Sequence, residues 1–474
     1  MIVTWTAEDV LRAVRGKSLH TQDWIAHGVS IDSRTIKTGD LFVAIKGDAL
    51  DGHAYVRAAF DAGASAAIVD RQPPQVPQDA RLIFVEDTLT ALQDLGRVGR
   101  LRSSAQIVAV TGSVGKTSSK EQLRLMLGAV DDTYANEGSL NNHWGVPLSL
   151  SRLPASSRYG VFEIGMNHAG ELAALTREVK PHVAMITTVE SVHLEHFASL
   201  EAIADAKAEI FLGMDSNGIA VLNRDNAYYG RLLAAARTQG LRRILGFGQD
   251  PKSEARLLAF KPDATGTTVE SIILDQKITY RVGTPGTHLA FNALGCLLTC
   301  AALGADLSVC ADALAGYRPP VGRGTRQKVV LATGGDLTLI DESFNASPAS
   351  MHAAITALGQ ASVPSNGRRI AVLGDMKELG ATSSALHTEL IKPLIENRID
   401  TVYCCGEMMA HIYDALPAVM RGELMPDSTG LAPLVAAAVH EGDAVMVKGS
   451  HSMHMETIVA ALQGLGTGTQ KLAC

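Results

Sequence analysis

Between residues 107 and 212, short apolar runs alternate with longer stretches whose apolar side chains recur every three or four positions. Ile107 to Val110, Val161 to Ile164 and Val183 to Val189 read as buried strands. Thr117 to Leu127, Glu171 to Val179 and Leu200 to Leu212 carry the helical period between and after them. Strand then helix, repeated, predicts a parallel sheet with crossover helices. The last third repeats the habit, with strands expected at Ile370 to Leu373, Thr401 to Cys404 and Ala444 to Val447, each ending in Gly or a polar turn. Leu289 to Ala305 is about membrane length, but Asn292, its small residues and the following Asp306 fit a buried core helix. The tail with Gly464, Gly466 and Gly468 reads as a flexible end.

Two breaks divide this pattern. A polar, Arg-containing stretch from Gln93 to Ser104 precedes the first long strand, and Pro319, Pro320, Gly322 and Gly324 follow Tyr317. The expected units are residues 1–95, 96–318 and 319–474, and 474 residues are enough for two or three separately cored domains. Lys and Arg number 42 against 49 Asp and Glu, a net charge of −7 that repels a phosphate backbone, so nucleic-acid binding is not expected. Met1 to Val14 carries Glu8, Asp9 and Arg12 and no export signal, which makes the cytoplasm the expected compartment. The cysteines, Cys296, Cys300, Cys310, Cys404, Cys405 and Cys474, lack a paired CxxC spacing and read as reduced and mostly buried.

The strongest chemical signal is Thr111-Gly112-Ser113-Val114-Gly115-Lys116-Thr117, set between an apolar strand and a helix with Leu123, Met126 and Leu127 on one face. In that context glycine-exposed amides and a helix N-terminus converge on phosphate oxygens, with Lys116 on the outer phosphates and Thr117 on a magnesium ion. The motif is shorter than the full phosphate-loop pattern, because position 110 is Val rather than Gly. It identifies a user of ATP or GTP, not a reaction.

Glu163 ends one strand and His193 lies just past another, so both can open onto the edge of the sheet that carries the phosphate loop, as magnesium ligands or as a surface carboxylate and a cap. Lys207 falls in register with Leu200, Ile203, Ile210 and Phe211, and a lysine on an apolar stripe needs a reason. A carboxylate accompanies it, its stem snorkels, or the amine is chemically converted.

These residues, in order, resemble the Mur ligase family of cell-wall synthesis over nearly the whole chain. The resemblance rests on Asp32-Ser-Arg34, Gly39 to Ala44, Asp51-Gly-His53, the phosphate loop, Leu140-Asn-Asn142 and Gly145-Val-Pro147. It continues through Phe162 to His168, His193-Leu-Glu195, Ala206 to Ile210, Gly322-Arg323, Asp341 to Pro348, Val372 to Gly380 and Val447 to Ser450. It implies an α/β protein of three domains: a small N-terminal substrate domain, a central P-loop ATPase domain with a mostly parallel sheet, and a C-terminal Rossmann-like domain. The activity implied is an ATP-dependent, ADP-forming amide ligation in peptidoglycan precursor synthesis, and so in cell shape and division. It joins D-alanyl-D-alanine to UDP-N-acetylmuramoyl-tripeptide, with neither nucleic acid nor a membrane as partner, and a monomer is expected.

By the same resemblance Lys207 is carbamylated, Thr117 and Glu163 hold the magnesium of ATP, and His193 with carbamylated Lys207 holds a second ion. Asn292, Arg323, Asp341 and Asn345 are implied nucleotide contacts; Ser33, Arg34, Asp51, His53, Asn141 and Asn142 are implied substrate contacts. Asp51-Gly-His53 also reads as a plain turn, and Asn141-Asn142 as a capped loop. Ser347-Pro348 reads as cap and first turn of a helix bearing Met351, Ile355 and Leu358. The chain departs from the family pattern at Ser139, where Asn is usual, at Leu289, again for Asn, at Phe344 for Tyr, and at His451 for Arg. The alternatives are the preceding ligase of the family, which adds the third amino acid, and a P-loop module that hydrolyses nucleotide without making an amide.

Overall fold

The computed structural model describes residues 3–18, 23–47, 50–192, 194–263, 265–332 and 334–471, the last five by their backbone alone. Among the described residues three large sheets organise the chain, beside a two-stranded pair of Trp5–Thr6 and Ile25–Ala26. The first orders its strands Lys17–Ser18, Leu82–Phe84, Ala66–Val69, Asp40–Val43 and Gly28–Ser30, parallel except for the first pair. Its strands are too short to show a period in the sequence.

The expected boundary near residue 95 falls inside a helix, Thr88–Arg102. Asp87 caps it by accepting from the Thr90 N–H, and Ala91, Leu92 and Leu95 bury into the first core. Gly96 and Gly99, one turn apart, lie against the backbone of Pro147 and Leu150 in the helix Gly145–Ser151. A Cβ at either would strike a carbonyl, so the two glycines let one helix serve both units.

The central sheet has nine strands. Gln106–Thr111 lies between Val183–Ile186 and Tyr159–Glu163, all parallel, with helices on both faces. Its far edge is an antiparallel addition, Ala255–Pro262, Thr267–Ile273 and Gln276–Val282. The apolar segment from Leu289 is the core of the helix Thr287–Ala302, and among the described residues no helix is long and apolar enough to cross a membrane. Two expected elements end early. The strand starting at Val183 closes at Ile186, and Thr187 then folds its hydroxyl onto Val114 O at 2.6 Å. The helix starting at Leu200 is α only to Ala208 and tightens to 3-10 over Glu209–Gly213, because the Thr176 hydroxyl takes the Ile210 carbonyl at 2.7 Å.

The third sheet has seven strands, in the order Arg421–Met425, Thr401–Cys405, Arg369–Gly374, Ala444–Lys448, Asp336–Glu342, Thr325–Leu331 and Gly466–Lys471. The first five are parallel and the last two antiparallel. The glycine-rich tail is therefore a strand, not a flexible end. Its backbone pairs with Thr325–Leu331, whose edge would otherwise present unpaired amides, and such pairing needs no side chains. Ser347 caps the helix Pro348–Gly359 in a capping box with Ser350, with Pro at its first turn. Cys296, Cys300, Cys310, Cys404 and Cys405 are free and buried; Cys474 lies outside the described residues.

Candidate active site

Strand Gln106–Thr111 delivers the phosphate loop to the sheet edge, and the helix Lys116–Val130 leaves from it. The loop turns on Gly112 at φ +149° and Gly115 at φ +83°, where side chains are strained. A Cβ at Gly112 would overlap the Thr187 hydroxyl, and one at Gly115 would stand 2.5 Å from Asn292 Nδ2. The loop is pinned from beneath: Ser113 N–H donates to Thr188 O at 2.9 Å, and Ser113 Oγ both donates to Glu190 O and accepts from its N–H. Lys116 Nζ donates to Gly112 O at 2.8 Å and Ser113 O at 3.5 Å, so its cation sits inside the curve of the loop. Burial pushes its pKa down, Glu163 opposes this, and Arg323 adds to it. Replacing Gly112 by alanine is expected to weaken ADP binding at least about tenfold, measured by titration calorimetry, because the added methyl group must displace Thr187 or the loop.

Glu163 closes strand Tyr159–Glu163 beside Val110 and is buried. Its Oε2 accepts from the Thr117 hydroxyl at 2.8 Å and its Oε1 from Asn141 Nδ2 at 2.7 Å. Two oxygens of hard character, Thr117 Oγ1 and the Glu163 carboxylate, thus stand together at the helix N-terminus. That donor set suits magnesium, which takes one or two protein oxygens and fills its octahedron with phosphate and water. Among the described residues no group of three His, Cys, Asp or Glu is arranged to hold a metal. His193 lies outside the described residues.

Lys207, on the helix Leu200–Ala208, is buried at 2% exposure and has no hydrogen-bond or ion-pair partner among the described residues. That exposure leaves little of the side chain in contact with solvent. Burial first, and Lys116 second, hold its pKa well below the ordinary lysine range.

The third unit covers the loop. Arg323 donates to Ser139 Oγ at 3.3 Å across the units, and its guanidinium lies 4.0 Å from the centroid of the Phe344 ring. Phe344 stacks on His451 at 5.4 Å. Two of the positions that depart from the family pattern therefore meet one arginine, and a third, His451, backs Phe344. Asp341 is buried and spends its carboxylate on the Gly322 and Ser343 amides and the Ser343 hydroxyl, which shapes the turn that presents Arg323. Asn345 gives its carbonyl to Lys448 Nζ at 2.9 Å, and Lys448 pairs with Glu342 at 3.4 Å. Glu195 N–H donates to Glu378 O at 3.2 Å, a second link between the central and third units.

One cleft of about 990 Å³ gathers Ser113 to Thr117, Asn141, Asn142, Glu163, Asn292, Arg323 and Asn345, together with Lys448, Lys377 and His288. The four remaining substrate candidates stay on the first unit. Arg34 is ion-paired to Asp32 at 2.6 Å beside Ser33, in the 3-10 turn Ser33–Thr35. His53 is buried, holding Asp51 Oδ1 at 2.7 Å through Nδ1 and accepting the Asp70 N–H through Nε2, while Arg71 pairs with both aspartates. Asp51 and His53 thus stabilise the turn Gly52–Tyr55 whatever else they do. Two buried residues beneath Glu163, Lys120 and Asn136, were not singled out in the sequence. Lys120 stands three positions before Leu123, so the stripe argument that exposes Lys207 exposes it as well.

Fold and phosphate-loop site are those of an ATP-dependent, amide-forming ligase, and the chain belongs to the Mur ligase family. Residues 25–99 match the model of the Mur ligase family catalytic domain, 110–300 the Mur ligase middle domain, and 325–451 the Mur ligase glutamate ligase domain. Among curated relatives, the UDP-N-acetylmuramoyl-tripeptide--D-alanyl-D-alanine ligase of Rickettsia prowazekii is 34% identical over 431 residues, covering 91% of this chain and 94% of its own. The Escherichia coli enzyme of the same name is 34% identical over 95% of this chain and 96% of its own. Among solved structures, MurF from Acinetobacter baumannii superposes with a TM-score of 0.84 at 28% identity, over 98% of this chain and 99% of that one. MurF from Thermotoga maritima in complex with ADP superposes with a TM-score of 0.76 at 28% identity, over 92% and 97%.

Proposed function

We propose that this chain is the ATP-dependent, ADP-forming ligase that joins D-alanyl-D-alanine to UDP-N-acetylmuramoyl-tripeptide in peptidoglycan precursor synthesis. The observation that carries this reading is the single cleft in which the phosphate loop, Glu163 and the Arg323 face of the third unit converge. It is supported by full-length likeness to ligases of that name.

A carboxylate resists attack by an amine. Its oxygen therefore first takes the γ-phosphoryl group of ATP, the bond to ADP breaks, and an acyl phosphate forms. The dipeptide amine attacks the acyl carbon and loses a proton, and inorganic phosphate leaves with the C–O bond electrons. Carboxylate and triphosphate repel one another, so cationic groups must stand where charge gathers. Lys116 Nζ is placed inside the phosphate loop for that purpose, and Arg323 faces it from the third unit. Bound magnesium supplies charge neutralisation between phosphate oxygens, and Thr117 and Glu163 are the residues that would hold it. Asn292, against Gly115, is proposed to meet the nucleotide base; Leu289 is buried and contributes its carbonyl to Gln122 Nε2 instead.

Lys207 as a carbamate, with His193, is proposed to hold a second ion. Asp341 and Asn345 are proposed to act through the turns they fix. Ser33, Arg34, Asp51, His53, Asn141 and Asn142 are proposed as contacts to the UDP-linked substrate. We further propose a cytoplasmic monomer whose functional units are 1–95, 96–318 and 319–474, with the first join carried inside the shared helix.

The test is ADP release by the purified protein with UDP-N-acetylmuramoyl-tripeptide, ATP and magnesium, with and without D-alanyl-D-alanine, together with the product mass. Release that depends on both substrates and yields the pentapeptide is expected. Release indifferent to the dipeptide would leave the nucleotide site standing and favour a module that hydrolyses nucleotide without making an amide.

A further inference from the structure

Lys120 stands on the phosphate-loop helix with no solvent exposure. A buried ammonium is costly unless its protons find acceptors. Here they find three: Asn136 O at 2.7 Å, Gly138 O at 3.0 Å and Glu121 Oε1 at 2.8 Å. Two of these are carbonyls of the segment that follows strand Thr133–Ala135 and runs on to Asn141. Lys120 therefore staples the helix to that segment.

Asn136 passes the constraint on to Glu163. Its Oδ1 accepts the Glu163 N–H at 2.8 Å, and its Nδ2 donates to Glu163 O at 3.2 Å and to Leu140 O at 2.9 Å. One amide side chain thus satisfies both backbone groups of Glu163 at the end of its strand and ties down the residue before Asn141. The carboxylate itself is held between Thr117, one turn before Lys120 on the same helix, and Asn141, on the stapled segment. The separation of those two donors is fixed by Lys120, and the backbone between them by Asn136. Neither residue lines the cleft.

We propose that Lys120 and Asn136 are a positioning pair that aims the Glu163 carboxylate at its cation. The inference rests on the reading of Glu163 as a magnesium ligand. A pair that merely stabilised the fold would shift the melting temperature and leave cation affinity alone. A pair that aims the ligand sets that affinity, as groups behind a metal ligand commonly do by ten- to a hundredfold.

The test uses the full chain with a non-hydrolysable ATP analogue and manganese(II) as the probe, free manganese being counted by electron paramagnetic resonance. Lys120→Met and Asn136→Ala are each expected to weaken manganese binding about tenfold. The double variant should be little worse than the weaker single one, because both act on one ligand. Lys120→Arg, which keeps a cationic donor, should recover part of the loss, and analogue binding without metal should be unchanged in all. Folded variants with unchanged manganese affinity overturn the proposal. If Lys120→Met does not fold, Asn136→Ala decides alone. Glu163→Gln separates the two readings: if it leaves manganese affinity intact, the assignment of Glu163 fails. If it abolishes binding while the folded pair variants keep the wild-type manganese affinity, the pair alone fails.

Discussion

Lys116→Ala is expected to lower turnover about a thousandfold, a loss of roughly 4 kcal/mol of transition-state stabilisation. The ammonium lies on Gly112 O and Ser113 O, inside the loop that would wrap the phosphates, so no reorganisation of the chain is needed to bring it to the transferring group. Its positive charge matters most when the γ-phosphoryl group lies between two anions, and that moment belongs to the transition state. The loss should therefore fall on kcat more than on the apparent affinity for ATP. Lys116→Arg should not restore activity, since a planar guanidinium cannot occupy a curve fitted to a point charge. ADP release under saturating substrates measures the effect. Calorimetric titration with the UDP-linked substrate alone should show binding intact, because its proposed contacts lie on the first unit and on Asn141 and Asn142. A variant that turned over normally would remove the phosphate-loop assignment.

The elements that were legible in the sequence are those buried on both faces. Ile107 to Val110, Ile370 to Leu373 and Ala444 to Val447 each lie within a strand of the structure that extends a residue or two beyond them, because a central parallel strand must be apolar at every position. The phosphate loop was legible for a different reason: glycines at 112 and 115 are demanded by positive φ and by the close approach of Thr187 and Asn292. The first sheet was not legible, because strands such as Gly28–Ser30 are shorter than any period that could reveal them. Nor was the terminal strand Gly466–Lys471, whose existence depends on a partner edge far away in sequence.

Site residues divide along the same line. Lys116 and Thr117 share one strand-to-helix corner and Glu163 ends the neighbouring parallel strand, so the strand pattern brought all three to one edge of the sheet. Arg323 reaches the corner only because Asp341 holds the Gly322 amide from a neighbouring strand, a contact that spacing does not encode. Ser139 and Phe344, which meet Arg323, and His451, which stacks on Phe344, come from three separate segments, and what they have in common appears only in three dimensions. The Arg323–Ser139 and Glu195–Glu378 links also join the central and third units across the cleft, so the chemistry depends on their approach to one another.

Lys207→Ala is expected to abolish ligation, and the reason lies in the state of the amine. At 2% exposure and without a partner among the described residues, a permanent ammonium would be strongly disfavoured. Burial and the nearby Lys116 hold its pKa well below that of an ordinary lysine, which leaves much more free base near neutrality than an exposed lysine would have. A neutral amine adds to carbon dioxide: the nitrogen lone pair bonds to carbon, one proton is released, and an anionic carbamate results. The anion would relieve the repulsion from Lys116 and supply oxygens of the kind magnesium prefers. Formation needs the unprotonated amine, so carbamylation should fall as the pH drops through the lowered pKa, and activity with it. Three measurements follow from this chemistry. Protein equilibrated with carbon-13 bicarbonate should show a carbamate carbon resonance that Lys207→Ala lacks. Depletion of carbon dioxide should lower wild-type turnover reversibly. A short carboxylic acid, but not additional ATP, should restore part of the activity of Lys207→Ala by placing an anion where the carbamate stood. Full activity in Lys207→Ala, or an unchanged resonance, would leave the buried amine without this role.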